Sequence, residues 1–268
     1  MAATTLVREV LRRVSSQVQD LSPQFIRFPE RECVDWLNDG QMAIWKYLPL
    51  AASRVDVIKL KPGTRQSIEL IAAGDCKPGD GSVPLVPIIG TQILRGSMRN
   101  MGADGLTPGK AIRLVSHDDM DSQNPDWHTA MAAGSIKAIT YNPETPRYFY
   151  NYPPVPALVM GAVWIEIPYT SRPIQIPNIA TVGSEAYLAD GSSSVVISIG
   201  DEHADDLTDY MLARLYLKNA QGLGNAERAA THASRCLGSL NAKVAAITGN
   251  NPNLKMLPFA PTPVGQAL

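Results

Sequence analysis

The hydrophobic periodicity of the chain changes twice, and this change constrains the fold more than any other feature of the sequence. Near both ends, apolar residues recur at three- and four-residue spacing, which is the pattern of an amphipathic helix. From about residue 54 the spacing is two, the pattern of a half-buried strand. We therefore predict an α+β fold: a small antiparallel helical bundle from both chain ends, an inserted β-rich domain and an extended C-terminal tail.

Four predicted helices form the bundle, and each carries a start signal. These signals are Thr4 or Thr5 as a cap, then Pro29, then Asp201 with Asp205 and Asp206, and finally Asn225. Gly40 lies inside the second helix at a cost of about 1 kcal/mol relative to alanine, so we expect a close helix contact or a local bend there. The predicted domains are residues 1–50 together with 201–249, the inserted domain 51–200, and a proline-rich tail, 250–268.

The β-rich middle contains two predicted supersecondary units. "VDVIKL" and "RQSIEL", joined by the turn "KPGT", predict a β-hairpin, and residues 136–171 predict a three-stranded meander. The Gly/Pro-rich segment 74–87 predicts an exposed loop. Alternation along the middle strand of the meander places Tyr148, Tyr150 and Tyr152 on one face.

Charge and cysteine usage exclude several classes of protein. The 24 Lys and Arg residues nearly cancel the 25 Asp and Glu residues, so the overall charge gives no reason to expect tight binding to nucleic acid or an anionic membrane. The three cysteines, Cys33, Cys76 and Cys236, form no C-x-x-C pair and predict neither a disulfide framework nor a zinc site. Charged residues interrupt the N-terminal apolar pattern, and the chain has no 18-residue apolar run, so we expect a soluble protein without a signal peptide.

Two motifs suggest chemistry, but each departs from its pattern. "GADGLTPGKA" resembles a phosphate-binding loop, yet Asp104 replaces the first glycine and Ala111 replaces the magnesium-binding hydroxyl residue. "HDDMDSQNPDWH" has calcium-loop spacing but lacks the required glycine and glutamate, so a turn rich in capping residues is favoured. We expect no enzyme activity, cofactor or metal; a metal-dependent hydrolase that uses His117, Asp119, Asp121 and His128 is the weaker hypothesis.

The aromatic segment "YNPETPRYFYNYPP" (141–154) leaves two interpretations open. Exposed tyrosines on alternate positions of a strand could stack bases, which would make the protein a single-stranded nucleic-acid binding module. Arg147, however, is the only basic residue between positions 141 and 169, and base-stacking surfaces need more. Cross-strand aromatic packing is the favoured interpretation.

Six segments occur in an order that is typical of one protein family. They are "WLNDGQMAIWKYLP" (36–49), "GTRQSIEL" (63–70), "RNMGADGLTPGKAIRLV" (99–115), "NPDWH" (124–128), "YNPETPRYFYNYPP" (141–154) and "LYLKNAQGLGNAERAATH" (215–232). In this order they resemble the phage adaptor protein family, the head-to-tail connector proteins that sit below the portal. Residues 74–87 and 174–200 are insertions relative to that pattern, so the resemblance implies nothing about their contacts.

The resemblance implies a structural virion protein at the head–tail junction, assembled in the host cytoplasm. It implies a dodecameric ring that joins the portal protein to the tail and leaves a channel through which genomic DNA passes without specific binding. A tail-tube or nozzle component is the nearest alternative. We expect protein interfaces at Tyr148, Tyr150 and Tyr152 and at the apolar tail residues Leu254, Met256, Leu257 and Phe259.

Overall fold

The computed structural model describes residues 4–19, 28–78, 87–94, 96–142, 144–157, 162–177, 187, 194–219, 222 and 224–250. The helices are α1 (Val7–Val18), α2 (Glu30–Tyr47), α3 (His117–Gln123), α4 (Ala204–Lys218) and α5 (Asn225–Asn250). The strands are β1 (Ser53–Lys59), β2 (Gly63–Ser67), β3 (Cys76–Pro78), β4 (Gly90–Ile93), β5 (Met98–Met101), β6 (Pro108–Leu114), β7 (Ala138–Thr140), β8 (Tyr148–Val155) and β9 (Trp164–Ser171). The fold is therefore mixed α+β.

The chain divides into two compact units. A helical unit comprises Met1–Ala52 and Pro173–Leu268, and a β unit comprises Ser53–Arg172. Residues 173–200, which the sequence analysis assigned to the inserted domain, are grouped here with the helices. Three isoleucines of this segment, Ile176, Ile197 and Ile199, are buried in the helical core. Among the described residues, no helix combines the length and the apolar character needed to cross a membrane.

The helical unit is built around α4, which contacts α1, α2 and α5. Its apolar residues Leu207, Met211 and Leu215 are buried, because they recur on one side of the helix at four-residue spacing. Gly40 of α2 lies directly against the ring of Tyr210: a Cβ atom at position 40 would be 2.9 Å from Cδ1 of that ring. The close helix contact expected at this glycine is confirmed.

The predicted cap of the first helix is wrong. Leu6 occupies the N-cap position of α1 and makes no side-chain cap hydrogen bond. Thr4 and Thr5 instead belong to a short extended segment in which Val7 N donates to Val195 O and Ile197 N donates to Thr5 O, at 2.9 and 3.0 Å. The hydroxyl of Thr4 donates to Asp201, so it is not available to the helix.

The β unit contains one sheet, in which the described residues form nine strands. The strand order is β2-β8-β7-β6-β5-β9-β1-β3, and β4 pairs with β9 beside β5. The β6–β7 pair is parallel and the other pairs are antiparallel. β9 is buried at seven of its eight positions, so both faces of this strand are covered.

The predicted hairpin between the segments that form β1 and β2 is wrong. β1 pairs with β9 and β3, whereas β2 pairs with β8. The turn itself forms, with Gly63 at φ +101, a conformation that favours glycine. The side chain of Gln66 then bonds the backbone of Lys61, accepting from its N–H at 2.8 Å and donating to its carbonyl at 2.7 Å. These bonds satisfy the backbone of Lys61 without a β1–β2 ladder.

The predicted meander is half right. β7 and β8 pair antiparallel, with Ile139 opposite Asn151. The third strand, β9, does not pair with β8 and lies between β1 on one edge and β4 and β5 on the other.

Two further local predictions are corrected by the structure. A 3-10 turn at Ala73–Asp75 and strand β3 occupy the start of the predicted loop 74–87. The predicted acidic turn is the helix α3, and the side chain of Ser116 caps it.

Candidate interaction surfaces

Strand β8 presents its tyrosines on one face, as alternation predicts. Phe149 and Asn151 point into the β unit and are fully buried, whereas Tyr148, Tyr150 and Tyr152 are half-buried on the opposite face. Asn151 donates from its side-chain amide to the carbonyl of Pro153 at 2.8 Å. The inward face of the strand is therefore part of the core, and the tyrosine face is the partly accessible one.

Tyr150 belongs to a cluster of four rings. Its neighbours are Trp127, His117 and His128, with ring centroids 5.9, 5.5 and 5.8 Å from that of Tyr150. His128 stacks on Trp127 at 3.5 Å, and Trp127 donates from Nε1 to a carboxylate oxygen of Asp121 at 2.8 Å. Helix α3 and the turn after it supply these rings, so Tyr150 packs within the chain, in agreement with the favoured interpretation of the segment.

Tyr148 and Tyr152 also contact groups of the same unit. The guanidinium of Arg65 lies 4.4 Å from the ring centroid of Tyr148, and the Tyr148 hydroxyl donates to Glu69 at 3.0 Å. Tyr152 packs against a small buried cluster formed by Met120, Trp127 and Ala138. All three rings are partly accessible, so their assignment as protein-interface residues stays a prediction. The apolar tail residues Leu254, Met256, Leu257 and Phe259 lie outside the described residues.

The residues of the hydrolase hypothesis do not converge on one point. His117 and Asp121 approach to 4.0 Å between Nε2 and Oδ2, whereas His128 faces Thr64, with Nδ1 3.2 Å from the hydroxyl. The carboxylate of Asp121 accepts from Trp127, and Asp119 lies on the first turn of α3. Over the part of the chain that the structure describes, no group of three or more His, Cys, Asp or Glu side chains could hold a metal ion.

The segment "GADGLTPGKA" is a turn between two antiparallel strands, β5 and β6. A carboxylate oxygen of Asp104 accepts from the backbone N–H groups of Leu106 and Thr107 at 3.0 and 3.3 Å, and these bonds hold the pKa of Asp104 below its usual value. A phosphate-binding loop needs free backbone donors that lead into a helix. Here the Asp104 carboxylate takes two such donors and a strand follows, so the segment shapes a turn.

Two surface features of the β unit were not predicted from the sequence. Residues 129–135 form an exposed loop without charged side chains, and Met131 at its centre is 92% exposed. We call it the apolar loop. The second feature is an open groove of about 480 Å³ lined by Lys61, Ser67, Glu69, Leu70, Ile89 and Arg147, which we call the edge groove. The apolar loop has one signal in the sequence, the uncharged run "AMAAG" (130–134). This run has neither a helical nor a strand period, so it does not predict an exposed loop by itself.

The helical unit contains a buried charged cluster that the sequence analysis read only as a helix start. Asp206 accepts from Lys243 Nζ at 2.5 Å and lies 3.0 Å from His203 Nδ1. Burial would raise the pKa of Asp206, but the bonds from His203 and Lys243 outweigh burial and lower it. Lys243 also donates to the carbonyl of Glu202, so the cluster joins α5 to the beginning of α4.

Asp201 anchors the N-terminal segment. Its carboxylate accepts from the backbone N–H groups of Thr4 and Thr5 at 2.8 and 2.7 Å and from the Thr4 hydroxyl at 2.6 Å. Burial would raise the pKa of Asp201, but these bonds outweigh it and lower the pKa to about 2. The residue was predicted to favour the helix dipole; its observed partner lies nearly 200 positions earlier in the chain.

Comparison with known proteins identifies the class. A family model described as SU10 adaptor protein matches residues 1–253, which is nearly the whole chain. No curated protein sequence matches it. The protein is thus a phage adaptor protein, a structural class of virion component that interacts with other phage head and tail proteins. The chain belongs to the SU10 adaptor protein family, and the resemblance noted in the sequence is confirmed.

Proposed function

We propose that the protein forms a closed ring of identical subunits, a dodecamer, that joins the portal to the tail and surrounds a channel for the genome. The observation that carries this proposal is the adaptor family match over residues 1–253. An adaptor must bind a partner on the head side and another on the tail side while contacting its own copies. The two compact units offer separate surfaces for these tasks.

The charge of the chain supports a role as a conduit. Its formal net charge is −1, so the chain as a whole has no excess of positive charge that would attract the passing DNA. Many Lys and Arg contacts to phosphates would strengthen binding steeply and slow the release of the genome. A lumen without such contacts would allow DNA to slide through. The half-buried tyrosines of β8 contact residues of their own unit, which favours this role over that of a single-stranded nucleic-acid binding module.

The composition of the C-terminal segment supports the same proposal. We propose that both chain ends build an antiparallel helical bundle and that the residues after α5, up to position 268, form an extended tail. The tail carries four prolines together with Leu254, Met256, Leu257 and Phe259. Prolines disfavour a helix and leave backbone and side chains available to a partner. We propose that the tail inserts into the portal or into the neighbouring subunit and buries these four side chains there.

The test is deletion of residues 250–268 in a phage that depends on the supplied protein. We expect the truncated protein to unfold at the same temperature as the full chain, while the phage yields filled heads that carry no tails. Replacing Leu254, Met256, Leu257 and Phe259 by serine should give the same defect. The matched control, Asn251→Ser with Asn253→Ser, changes polar positions of the same segment and should give tailed particles.

Electron microscopy of normal virions tests where the protein lies in the particle. A ring of density beneath the capsid vertex, labelled by an antibody to this protein, is the expected result. Label along the tail or at its distal end would instead support a tail-tube or nozzle component. Tailed, infectious particles from the truncated protein would overturn the proposed role of the tail.

A further inference from the structure

The apolar loop is fixed at both ends although its central side chain is free. Thr129 N donates to Asp126 O at 3.0 Å, and Ala133 N donates to Pro154 O at 2.9 Å. Just beyond the loop, Ile136 N donates to the buried side chain of Asn100 at 2.7 Å. Between these anchors Met131 is 92% exposed. The loop therefore presents a flexible apolar side chain on an ordered backbone, so that binding would cost little conformational entropy.

The edge groove lies where the terminal strand β2 ends, and the last residue of that strand, Ser67, is part of its lining. Its apolar surface comes from Leu70 and Ile89, which are 61% and 39% exposed. Backbone hydrogen bonds hold this wall: Ile71 and Ile88 exchange two, at 2.8 and 2.9 Å. Glu69 accepts from Arg147 at 3.0 Å, so these two charges compensate each other within the groove. The apolar surface of the groove, in contrast, stays exposed to solvent.

The anchor of the loop and one wall of the groove lie at opposite ends of β8. The loop is anchored to the carbonyl of Pro154, and the groove is lined by Arg147. Pro154 follows Arg147 by seven positions, which is a distance of about 23 Å along a strand. Both features belong to the same compact unit, so a subunit cannot place its anchored loop in its own groove. A contact between the loop of one copy and the groove of the next is heterologous, which is the kind of contact that generates rings.

The charges beside the two features are complementary. Four exposed aspartates lie on α3 and the turn that leads to the apolar loop: Asp118, Asp119, Asp121 and Asp126. The groove lining carries two cations, Lys61 and Arg147, against one anion, Glu69. A second copy that approaches loop-first would bring an acidic surface to a groove of net positive charge. This arrangement favours the heterologous contact over groove-to-groove or loop-to-loop contacts, in which like charges would meet.

We propose that neighbouring copies of this chain associate by inserting the apolar loop, with Met131 at its centre, into the edge groove at Leu70 and Ile89. The proposal rests on the proposed ring and names the surface through which its subunits meet. Each subunit makes the contact twice, once with its loop and once with its groove. Closure of the ring then leaves neither feature exposed.

Cysteine cross-linking in assembled virions tests the contact directly. Phage are grown with the double variant Met131→Cys/Leu70→Cys and treated with a short bis-maleimide. We expect a ladder of covalent dimers and higher multimers. The three natural cysteines are buried, and burial raises the pKa of Cys76 to about 12 and that of Cys236 to about 11, so they should react slowly. The matched control Met131→Cys/Leu106→Cys uses an exposed leucine of the β5–β6 turn and should give monomers.

Different results would overturn the proposed interface and the proposed function. Dimers from Met131→Cys alone would indicate a loop-to-loop contact and overturn the proposal. Monomers from the double variant, in particles whose images show the ring, would overturn the surface assignment and leave the ring standing. Virions that carry the protein away from the head–tail junction would overturn the proposed function, while the ladder would still report the contact between copies.

A charge substitution gives a second measurement. Met131→Asp should reduce incorporation into virions by about tenfold to a hundredfold, because burial of the methionine is lost. Met131→Leu and Leu106→Asp should be incorporated normally. The substituted side chain is exposed in the free subunit, so the unfolding temperature of Met131→Asp should match that of the wild type. Normal incorporation of Met131→Asp would contradict the proposal.

Discussion

At the scale of single residues, the carboxylates of the helical unit show how position in sequence and role in structure can differ. Asp201, Asp205 and Asp206 occupy neighbouring positions at a helix start, where any of them would favour the helix dipole. In the folded chain Asp205 makes an exposed ion pair with Arg13, Asp206 is buried beside Lys243, and Asp201 binds the N-terminal segment. Three equivalent residues thus have three different partners, two of them near the N-terminus and one in α5.

Asp201 should give the stability of the protein a specific pH dependence. Because its pKa is lowered from 3.8 to about 2 in the folded chain, its contribution is complete above about pH 4 and is lost as the pH falls through about 2. We expect Asp201→Asn to lower the free energy of unfolding by about 1 kcal/mol at pH 7, a value reduced for the exposure of the site. Urea unfolding at several pH values measures the difference between the two proteins, which should shrink below about pH 4.

The control for this measurement is Asp205→Asn. It removes an exposed ion pair with Arg13 and should change the free energy of unfolding by less than about 0.5 kcal/mol. A difference between wild type and Asp201→Asn that stays constant down to pH 2 would show that the carboxylate charge of Asp201 contributes nothing to anchoring the N-terminal segment.

At the scale of elements, the contact between α2 and α4 depends on a missing side chain. Gly40 allows the ring of Tyr210 to lie against the backbone of α2. A glycine inside a helix normally costs stability, and its presence here is explained by the approach of the second helix. The sequence indicated such a contact or a bend, but it did not identify Tyr210 as the neighbour.

We expect Gly40→Ala to destabilise the protein by about 1 kcal/mol, because overpacking against Tyr210 outweighs the gain in helix propensity. Gly238 of α5 has no atom within 4 Å of an added Cβ, so Gly238→Ala should stabilise by about 0.5–1 kcal/mol. Denaturant unfolding of both variants measures these effects. In a Tyr210→Ala background, Gly40→Ala should become neutral or stabilising. Equal stabilisation by the two alanines would contradict a close contact at Gly40.

For the strands, the sequence predicted which face is buried but not which strands pair. The burial pattern of β8 followed from alternation, because a strand exposes successive residues to opposite faces whatever its partners are. The partners themselves did not follow. Sequence proximity suggested that β9 pairs with β8 and β2 with β1, but the long-range pairs β1–β9 and β2–β8 form instead.

At the scale of the whole molecule, the β unit is one continuous segment whose ends are close together. Ser53 at its beginning pairs with Thr170 near its end, through the antiparallel pair of β1 and β9. A segment that starts and ends on neighbouring strands can be inserted into another fold without stretching it. We propose on this basis that the chain consists of a helical domain with a β domain inserted after α2.

Residues 53–172 should therefore fold when expressed alone. We expect a cooperative thermal transition and slow amide exchange in β9, which is buried at seven of its eight positions. The complementary protein, 1–52 joined to 173–268 by a short Gly/Ser linker, should retain its helical signal, because neighbouring strands are only about 5 Å apart at the junction. A fragment 53–172 without a cooperative transition would show that the β unit depends on the helices.

Helix α3 was predicted as a turn, but α1, α2, α4 and α5, the buried face of β8 and the resemblance to the adaptor family could all be predicted from the sequence alone. These features depend on local periodicity or on the order of short motifs, and both can be read without knowing any contact. The tertiary structure alone decided which strands pair, that the isoleucines of 173–200 join the helical core, and that Trp127, His117 and His128 surround Tyr150. It also decided that Met131 and the edge groove stay exposed. The physical reason is that periodicity records whether a side chain is buried, whereas the group that buries it comes from a distant part of the chain, brought there by the fold as a whole.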